Sequence, residues 1–346
     1  MKEDIRDLTI EELGKIVTAM NEPPHRAGQI FKWLFGKGAA DFRAMTNLPK
    51  SLISKLEEKF YISALKCDER LTSKDGTEKF LWLLKDDAHV ESVLIKEKDR
   101  ATLCLSTQVG CKFGCPFCAS GMFGFKRNLD ASEIVGQVLA VQALCRLRVT
   151  NIVFMGMGEP LDNYDNVVKA IRIINHPDGI GIGARKITIS TCGIVPAILK
   201  LKDLGLQVEL SISLHAAEDH KRDELVPVNR KYPIKELIKA CKEYHEKTKR
   251  VITLEYTLIK GKNDLVYDAE ELAKIARALN AKVNLLSCNI FPDGKGRGVS
   301  GKHLELFRKV LKSNGVMVTV RRSRGEDIFA ACGQLAARAL RAESPG

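Results

Sequence analysis

From Ala101 onward, short apolar stretches alternate with longer segments whose apolar residues recur every three or four positions. The short stretches predict strands near 101–106, 151–156, 186–191, 207–213, 252–258 and 282–288. The longer segments predict helices near 132–146, 164–174, 195–203, 234–247, 267–279 and 302–313, and Asp130 with Glu133 forms a capping-box pattern that starts the first of them. Strict alternation of strand and helix means a parallel sheet with crossover helices. Six such units are fewer than the eight of a closed TIM barrel, so the pattern predicts an α/β fold built as an open, partial (βα)6 barrel. A last strand, 316–321, and a helix, 328–340, are expected to end it.

Ahead of this repeat the pattern changes. Thr9 and Glu12 make a capping box for a helix to about Met20, Pro23-Pro24 interrupts it, and 26–35 restarts it with Ile30, Trp33 and Leu34 on one face. Pro49 opens a third helix carrying Leu52, Ile53 and Leu56. Next, 65–72 and 78–84 read as strands about an Asp75-Gly76 turn, with a further strand at 89–95. Trp82 reads as core and Cys67 as packing. The expected organisation is therefore a helical module over 1–62, a β-hairpin extension over 63–96, a barrel over 97–327 and a C-terminal segment over 328–346.

The first barrel strand breaks at Gly110 into a loop with Cys111, Cys115 and Cys118, a C-x3-C-x2-C triplet. A structural zinc site wants four closed ligands, whereas three thiolates suit a four-iron cluster with one iron open to an exogenous ligand. Phe113, Pro116, Phe117 and Phe123 would keep such a cluster dry. On spacing alone, a zinc knuckle with a remote ligand and three unrelated buried thiols stand as alternatives.

Ten cysteines scattered through strand and helix patterns, with a charged Met1–Asp7 start that has no apolar signal core, point to the reducing cytoplasm. No apolar run reaches the ~18 residues of a membrane span. Fifty-five basic against 43 acidic residues, a formal net charge of +12, favour a polyanionic partner without choosing among RNA, DNA and a membrane surface. Basic positions include Lys126-Arg127, Arg185-Lys186, Lys295, Arg297 and Arg321-Arg322, besides Lys15, Arg26, Lys32, Lys37, Arg43, Lys50 and Lys55 on the N-terminal helices.

In parallel α/β folds, ligands sit at the carboxyl ends of the strands. There lie Gly158 and Glu159 after the second strand, Ser190 at the third, Ser213, Leu214 and His215 at the fourth, and Asn289 after the sixth. Taken singly, each is an ordinary strand-end residue.

The triplet after the first strand of a βα repeat resembles the radical S-adenosyl-L-methionine (SAM) enzymes. Cys104 seven residues before Cys111, the run Gly124-Phe-Lys-Arg-Asn-Leu129, Gly156-Met-Gly-Glu-Pro160, and Arg324-Gly-Glu-Asp-Ile-Phe-Ala-Ala-Cys332-Gly-Gln-Leu335 are similar to the RlmN/Cfr methyltransferases, the RlmN branch above all. The likeness runs over nearly the whole chain. It implies one 4Fe-4S cluster on Cys111, Cys115 and Cys118, with SAM bound by Gly158, Glu159, Ser190, Ser213, Leu214, His215 and Asn289. It further implies a methyl-carrying Cys332, a transient Cys104–Cys332 disulfide, and Glu91 as proton acceptor. The implied substrates are adenosines in 23S rRNA and tRNA, methylated at C2, with an external one-electron donor such as flavodoxin or ferredoxin and no membrane. Two positions depart from the pattern: Cys192 stands where serine is expected, and Ser287-Cys288 replaces a proline and an aromatic. Methylation at C8, as in the Cfr branch, a radical SAM enzyme acting on peptide, and a non-catalytic zinc and RNA-binding module are the rival readings.

Overall fold

The computed structural model describes residues 2–122, 124–289 and 297–335. The chain starts with β1 (Glu3–Asp4), paired parallel to β2 (Phe60–Tyr61). Between them lie α1 (Ile10–Ala19), α2 (His25–Phe31), which runs on into a π-turn at Lys32–Gly36, and α3 (Lys50–Lys59). The capping box of α1 forms as its sequence predicts, with Thr9 N–H donating to Glu12 at 2.7 Å and Glu12 N–H to Thr9 Oγ1 at 3.3 Å. Ile30 and Leu34 turn inward, while Trp33 is only half-buried and donates its indole N–H to Asn47 at 2.6 Å.

Strands β3 (Lys66–Thr72), β4 (Glu78–Leu83) and β5 (His89–Glu97) follow as an antiparallel meander. They are not a separate layer: β5 pairs antiparallel with β6 (Arg100–Cys104), so the meander continues the barrel sheet. After a small ribbon of β7 (Gln108–Gly110) and β8 (Phe125–Asn128), with the one-turn α4 (Ala119–Met122) between them, the βα repeat runs on. Its elements are α5 (Ala131–Cys145), β9 (Asn151–Phe154), α6 (Tyr164–Asn175), β10 (Ile187–Thr191), α7 (Val195–Leu201), β11 (Glu209–Ser213), α8 (Asp219–Leu225), α9 (Ile234–Thr248), β12 (Thr253–Leu258), α10 (Val266–Ala278), β13 (Lys282–Ser287), α11 (Gly301–Ser313) and β14 (Val318–Val320).

The six expected core strands thus form in sequence order as parallel neighbours, and β14 adds a seventh beside β13. The ten-stranded sheet stays open, with β3 and β14 at its two edges. Helices cover the outer face, so alternate residues such as Leu103, Ile152, Phe154, Ile189, Leu254 and Leu285 are fully enclosed.

Besides the short β1–β2 pair and α4, three elements among the described residues depart from the sequence reading. The β7–β8 ribbon was not visible, because three and four residues carry no readable period. Helix α8 was missed within a polar stretch whose one inward face is Arg222 and Leu225. The helix expected over 328–340 is absent across its described part: 329–335 forms turns, with Phe329 at φ 51° and Gly333 at φ 82°. Each left-handed residue interrupts an α-helix. Positions 336–340, like Phe123 and Lys295, lie outside the described residues.

The N-terminal helices dock on the start of α5. The Asp7 carboxylate accepts the Ser132 N–H at 2.7 Å, one of the free donors of that helix end, and Lys169 on α6 pairs with Glu12 at 2.9 Å. Burial pushes the Asp7 carboxyl up to about 6, against the Ser132 hydrogen bond, which lowers it. A carboxyl whose folded value is raised binds its proton more readily folded than unfolded, so it costs stability as pH climbs from about 4 through about 6. Asp7→Asn keeps the acceptor and loses the titration. Thermal melts should show no difference from wild type near pH 4 and a more stable variant at pH 7.

Candidate active site

At the carboxyl ends of the parallel strands the loops enclose a cavity whose walls include Cys111, Cys115 and Cys118. The ribbon holds their loop in place. Gly110 has φ 76°, and a Cβ there would sit 1.9 Å from the Gly124 carbonyl oxygen, so only glycine allows the two strands to close. Cys111 N–H then donates to that same oxygen at 2.8 Å, and Cys118 N–H to Cys115 O at 3.1 Å. Phe113 and Phe117 pack with Leu225, Val226 and Val228 around the loop.

Burial pushes the Cys111 thiol up to about 12 and raises Cys115 and Cys118 as well, and Cys115 is raised further by the charge either neighbour would carry. Alone they are neutral thiols; a bound metal is what would deprotonate them. Among the described residues no three His, Cys, Asp or Glu side chains converge on one ion, as a zinc site requires. A cluster instead presents a separate iron to each sulfur.

A second observation fits an anionic group here. Arg222 is fully buried, yet among the described residues no carboxylate lies within ion-pair distance of it. Its guanidinium donates to Cys192 O at 2.6 Å, Asn229 Oδ1 at 2.8 Å, Leu214 O at 3.1 Å and Ser213 O at 3.3 Å. The acidic groups it feels most are the Cys192 and Cys115 thiols. Thiolates holding iron would supply the missing counter-charge. The same arginine ties the ends of β10 and β11 together. No pattern in the polar α8 stretch announced it.

Gly158, Glu159, Ser190, Ser213, His215 and Asn289 all line this cavity. Gly158 has φ 93°, and a Cβ would come 2.5 Å from Gln108. Glu159 is buried and anchored: Oε2 accepts the Cys192 N–H at 2.7 Å and Oε1 the Leu161 N–H at 2.9 Å. Burial raises its carboxyl against those bonds. His215, at φ 57°, accepts the Thr257 N–H on Nδ1 at 3.0 Å, which leaves Nε2 to carry the proton. Burial, with the Arg222 charge, lowers it to about 3, and its ring meets Phe117 edge-on at 4.8 Å. Ser190 and Ser213 hydroxyls lie 3.3 Å apart. Leu214 is the exception: its side chain belongs to the core, and its part at the site is the carbonyl that Arg222 holds.

Cys332 lines the same cavity and also a smaller one walled by Cys104, Val93, Met155 and Arg321. Asn289 Nδ2 donates to its carbonyl oxygen at 2.9 Å. Burial pushes the Cys104 thiol up to about 12, with the Cys332 sulfur close enough to add to the effect. Arg321, expected in a basic loop, instead sits between these groups. It feels Cys332 first, then Glu255 and Cys104, and Nη1 lies 3.6 Å from Met155 Sδ.

Glu91 shares one sheet face with Val93 but is not on the wall of either cavity. It is 1 % exposed and pairs with the equally enclosed Lys79 at 2.9 Å. Arg127 is also committed, in bidentate pairs with Asp86 (both 2.7 Å) and Glu133 (2.7 and 2.9 Å), and Arg297 is exposed.

Residues 105–279 match the Radical SAM superfamily, and residues 3–62 match the ribosomal RNA large subunit methyltransferase N-terminal domain. A probable dual-specificity RNA methyltransferase RlmN of Thermoanaerobacter sp. (strain X514) is 46% identical over 339 residues, 98% of this chain and 99% of the relative. The chain belongs to the RlmN family of radical SAM proteins. Another such protein, from Thermotoga maritima, is 46% identical over 342 residues, covering 99% of each. The crystal structure of a radical SAM methyltransferase from Sphaerobacter thermophilus superposes with a TM-score of 0.91 at 45% identity, over 97% of this chain and 100% of that one. The cofactors of the RlmN family are one 4Fe-4S cluster and SAM, and the cavity's chemistry fits them.

Replacing Arg222 with Met orphans several buried carbonyls, a loss of about 3 kcal/mol. Urea denaturation should show that loss, and iron analysis after anaerobic reconstitution should show reduced retention. An unchanged unfolding midpoint would contradict the clamp.

Proposed function

We propose that this protein methylates C2 of adenosine in 23S rRNA and tRNA, with Cys332 as the carrier of the methyl carbon. The observation that carries the reading is the double position of Cys332, on the wall of the cysteine-loop cavity and on that of Cys104. A carbon ferried from one site to another needs such a carrier. The amidine carbon of adenine is electron-poor and cannot attack an activated methyl group as a nucleophile, which is why radical chemistry suits it.

Cys111, Cys115 and Cys118 hold the cluster, while Gly158, Glu159, Ser190, Ser213, His215 and Asn289 line the space for SAM and Leu214 contributes backbone. When bound, the cluster and SAM supply a 5′-deoxyadenosyl radical able to take hydrogen from a methyl group, given one electron from a carrier of the flavodoxin or ferredoxin kind. Cys332, as thiolate, accepts the methyl of one SAM by displacement and presents it to that radical. Its carbon, one hydrogen poorer, then adds to the adenine and joins protein to RNA, and the unpaired electron left on the ring would return to the bound cluster as the ring proton leaves. Glu91, held by Lys79, is the candidate acceptor for the ring proton. Cys104, as thiolate, attacks the Cys332 sulfur; the sulfur–carbon bond breaks with its electron pair on the carbon, which takes up a proton to become methyl, and the resulting disulfide frees the methylated base.

Ten free thiols suit a cytoplasmic setting for such a transient bond. Among the described residues no helix is long and apolar enough to cross a membrane. The N-terminal helices, with Lys32, Lys37, Trp33 and Asn47 around one surface hollow, serve as the RNA-guiding part.

Cys332→Ala should abolish methylation, and Cys104→Ala should trap a covalent protein–RNA adduct visible on a denaturing gel. Methyl transfer at wild-type rate in Cys332→Ala would sink the relay. Nuclease digests compared with 2- and 8-methyladenosine standards check the position.

The Cys104 thiol at about 12 sets a pH dependence. Far below that value its thiolate fraction rises roughly tenfold per pH unit. Release of the base, followed from a preformed adduct, should speed up about tenfold for each pH unit, so about a hundredfold between pH 7 and 9.

A further inference from the structure

The hairpin turn between β3 and β4 grips the segment that carries Cys332. The Ser73 hydroxyl donates to Asp327 Oδ1 at 2.6 Å and the Lys74 N–H to Asp327 Oδ2 at 3.1 Å. In the opposite sense, the Gly325 N–H donates to Asp75 Oδ2 at 3.1 Å. Against the effect of burial, hydrogen bonds from Thr77 first and then from Gly325 and Ser73 hold the Asp75 carboxyl down at about 2, and those from Ser73 and Lys74 lower that of Asp327, so both are carboxylates at neutral pH. Deeper in, Lys79 donates to the Phe329 carbonyl at 3.2 Å while pairing with Glu91 at 2.9 Å. The fit is close, since a Cβ on Gly325 would lie 3.0 Å from Thr77 Cγ2.

All these contacts fall on Gly325, Asp327 and Phe329, shortly before Cys332. Beyond it the barrel takes over: Asn289 holds the Cys332 carbonyl, the Ala119 N–H donates to Gly333 O at 2.7 Å, and the Ser120 hydroxyl to Leu335 O at 3.2 Å. Apart from one 3-10 turn at Glu326–Ile328, residues 325–335 have no helix or strand of their own. Their placement comes largely from these hydrogen bonds, made by side chains and backbone of the hairpin and the barrel.

We propose that the hairpin is the mount for Cys332, with Asp327 and Lys79 as positioning residues that aim its sulfur at the boundary of the two cavities. The inference rests on the carrier role given to Cys332 above. A buried lysine spent on a single backbone carbonyl and one carboxylate is costly for a fold to keep. Here it fixes the near end of the carrier segment and the candidate proton acceptor with one charge. The hairpin thereby becomes part of the catalytic apparatus without touching substrate.

Asp327 is exposed, so Asp327→Ala tests the mount without opening the core. Iron content, SAM affinity and melting temperature should match wild type. Deuterium exchange over 325–335 should quicken about tenfold, as expected for losing two hydrogen bonds. The turnover number for RNA methylation should fall by a similar factor with KM for RNA unchanged, and Asp327→Asn, which keeps one acceptor, should recover part of it. Lys79→Met should act in the same direction, with Lys79→Arg as its partial rescue. Unchanged exchange over 325–335, or faster exchange with turnover intact, would overturn the proposal. Failure of the carrier reading looks different: Cys332→Ala itself would then stay active.

Discussion

Burying a guanidinium without a carboxylate partner is among the most expensive things a fold can do, and the organisation of this site follows from that expense. Arg222 spends its donors on the carbonyls of Cys192, Ser213 and Leu214 and on Asn229. The ends of two barrel strands are thereby fixed, and a positive charge is left facing a loop of thiols. Glu159 continues the lattice by accepting from the Cys192 and Leu161 N–H groups. These hydrogen bonds tie the rim together through the protein's own groups. Such preorganisation is what a site handling radicals needs, because water and stray hydrogen donors must be kept away.

The second constraint is topological. A (βα)6 sheet that does not close has two edges, and an exposed edge invites pairing with other chains. On one side the meander prolongs the sheet through β5 and β6, and on the other β14 adds beside β13. Both additions also reach toward the site: the meander's hairpin turn bonds the segment that carries Cys332, and β14 leads directly to Arg321.

How much of this could be read in the chain depended on the length of the pattern. The βα units repeat over many residues, and each core strand appeared within a few positions of its expected ends. Short or irregular devices left no period to read. The β7–β8 ribbon is one, since its closure depends on a glycine contact that only coordinates reveal. The C-terminal segment looked helical by composition, yet left-handed residues at Phe329 and Gly333 make it a series of turns. Electrostatic partners were the least legible. Arg127 looked like a phosphate contact but is claimed by Asp86 and Glu133, while Arg321 looked like surface and faces two thiols. Charge identity is written in the sequence; the counter-ion is a product of the fold.

The first turn of α5 is a meeting point of three parts of the fold. Ser132 takes Asp7 from the N-terminal helices, and Glu133 takes Arg127 from the ribbon, which in turn holds Asp86 beside the meander. A load placed on the N-terminal helices is therefore borne by the same few peptide units that brace the cysteine loop. Mechanically the helix start works as a keystone, and tension from a bulky bound polymer would reach the loop through a path only a handful of bonds long.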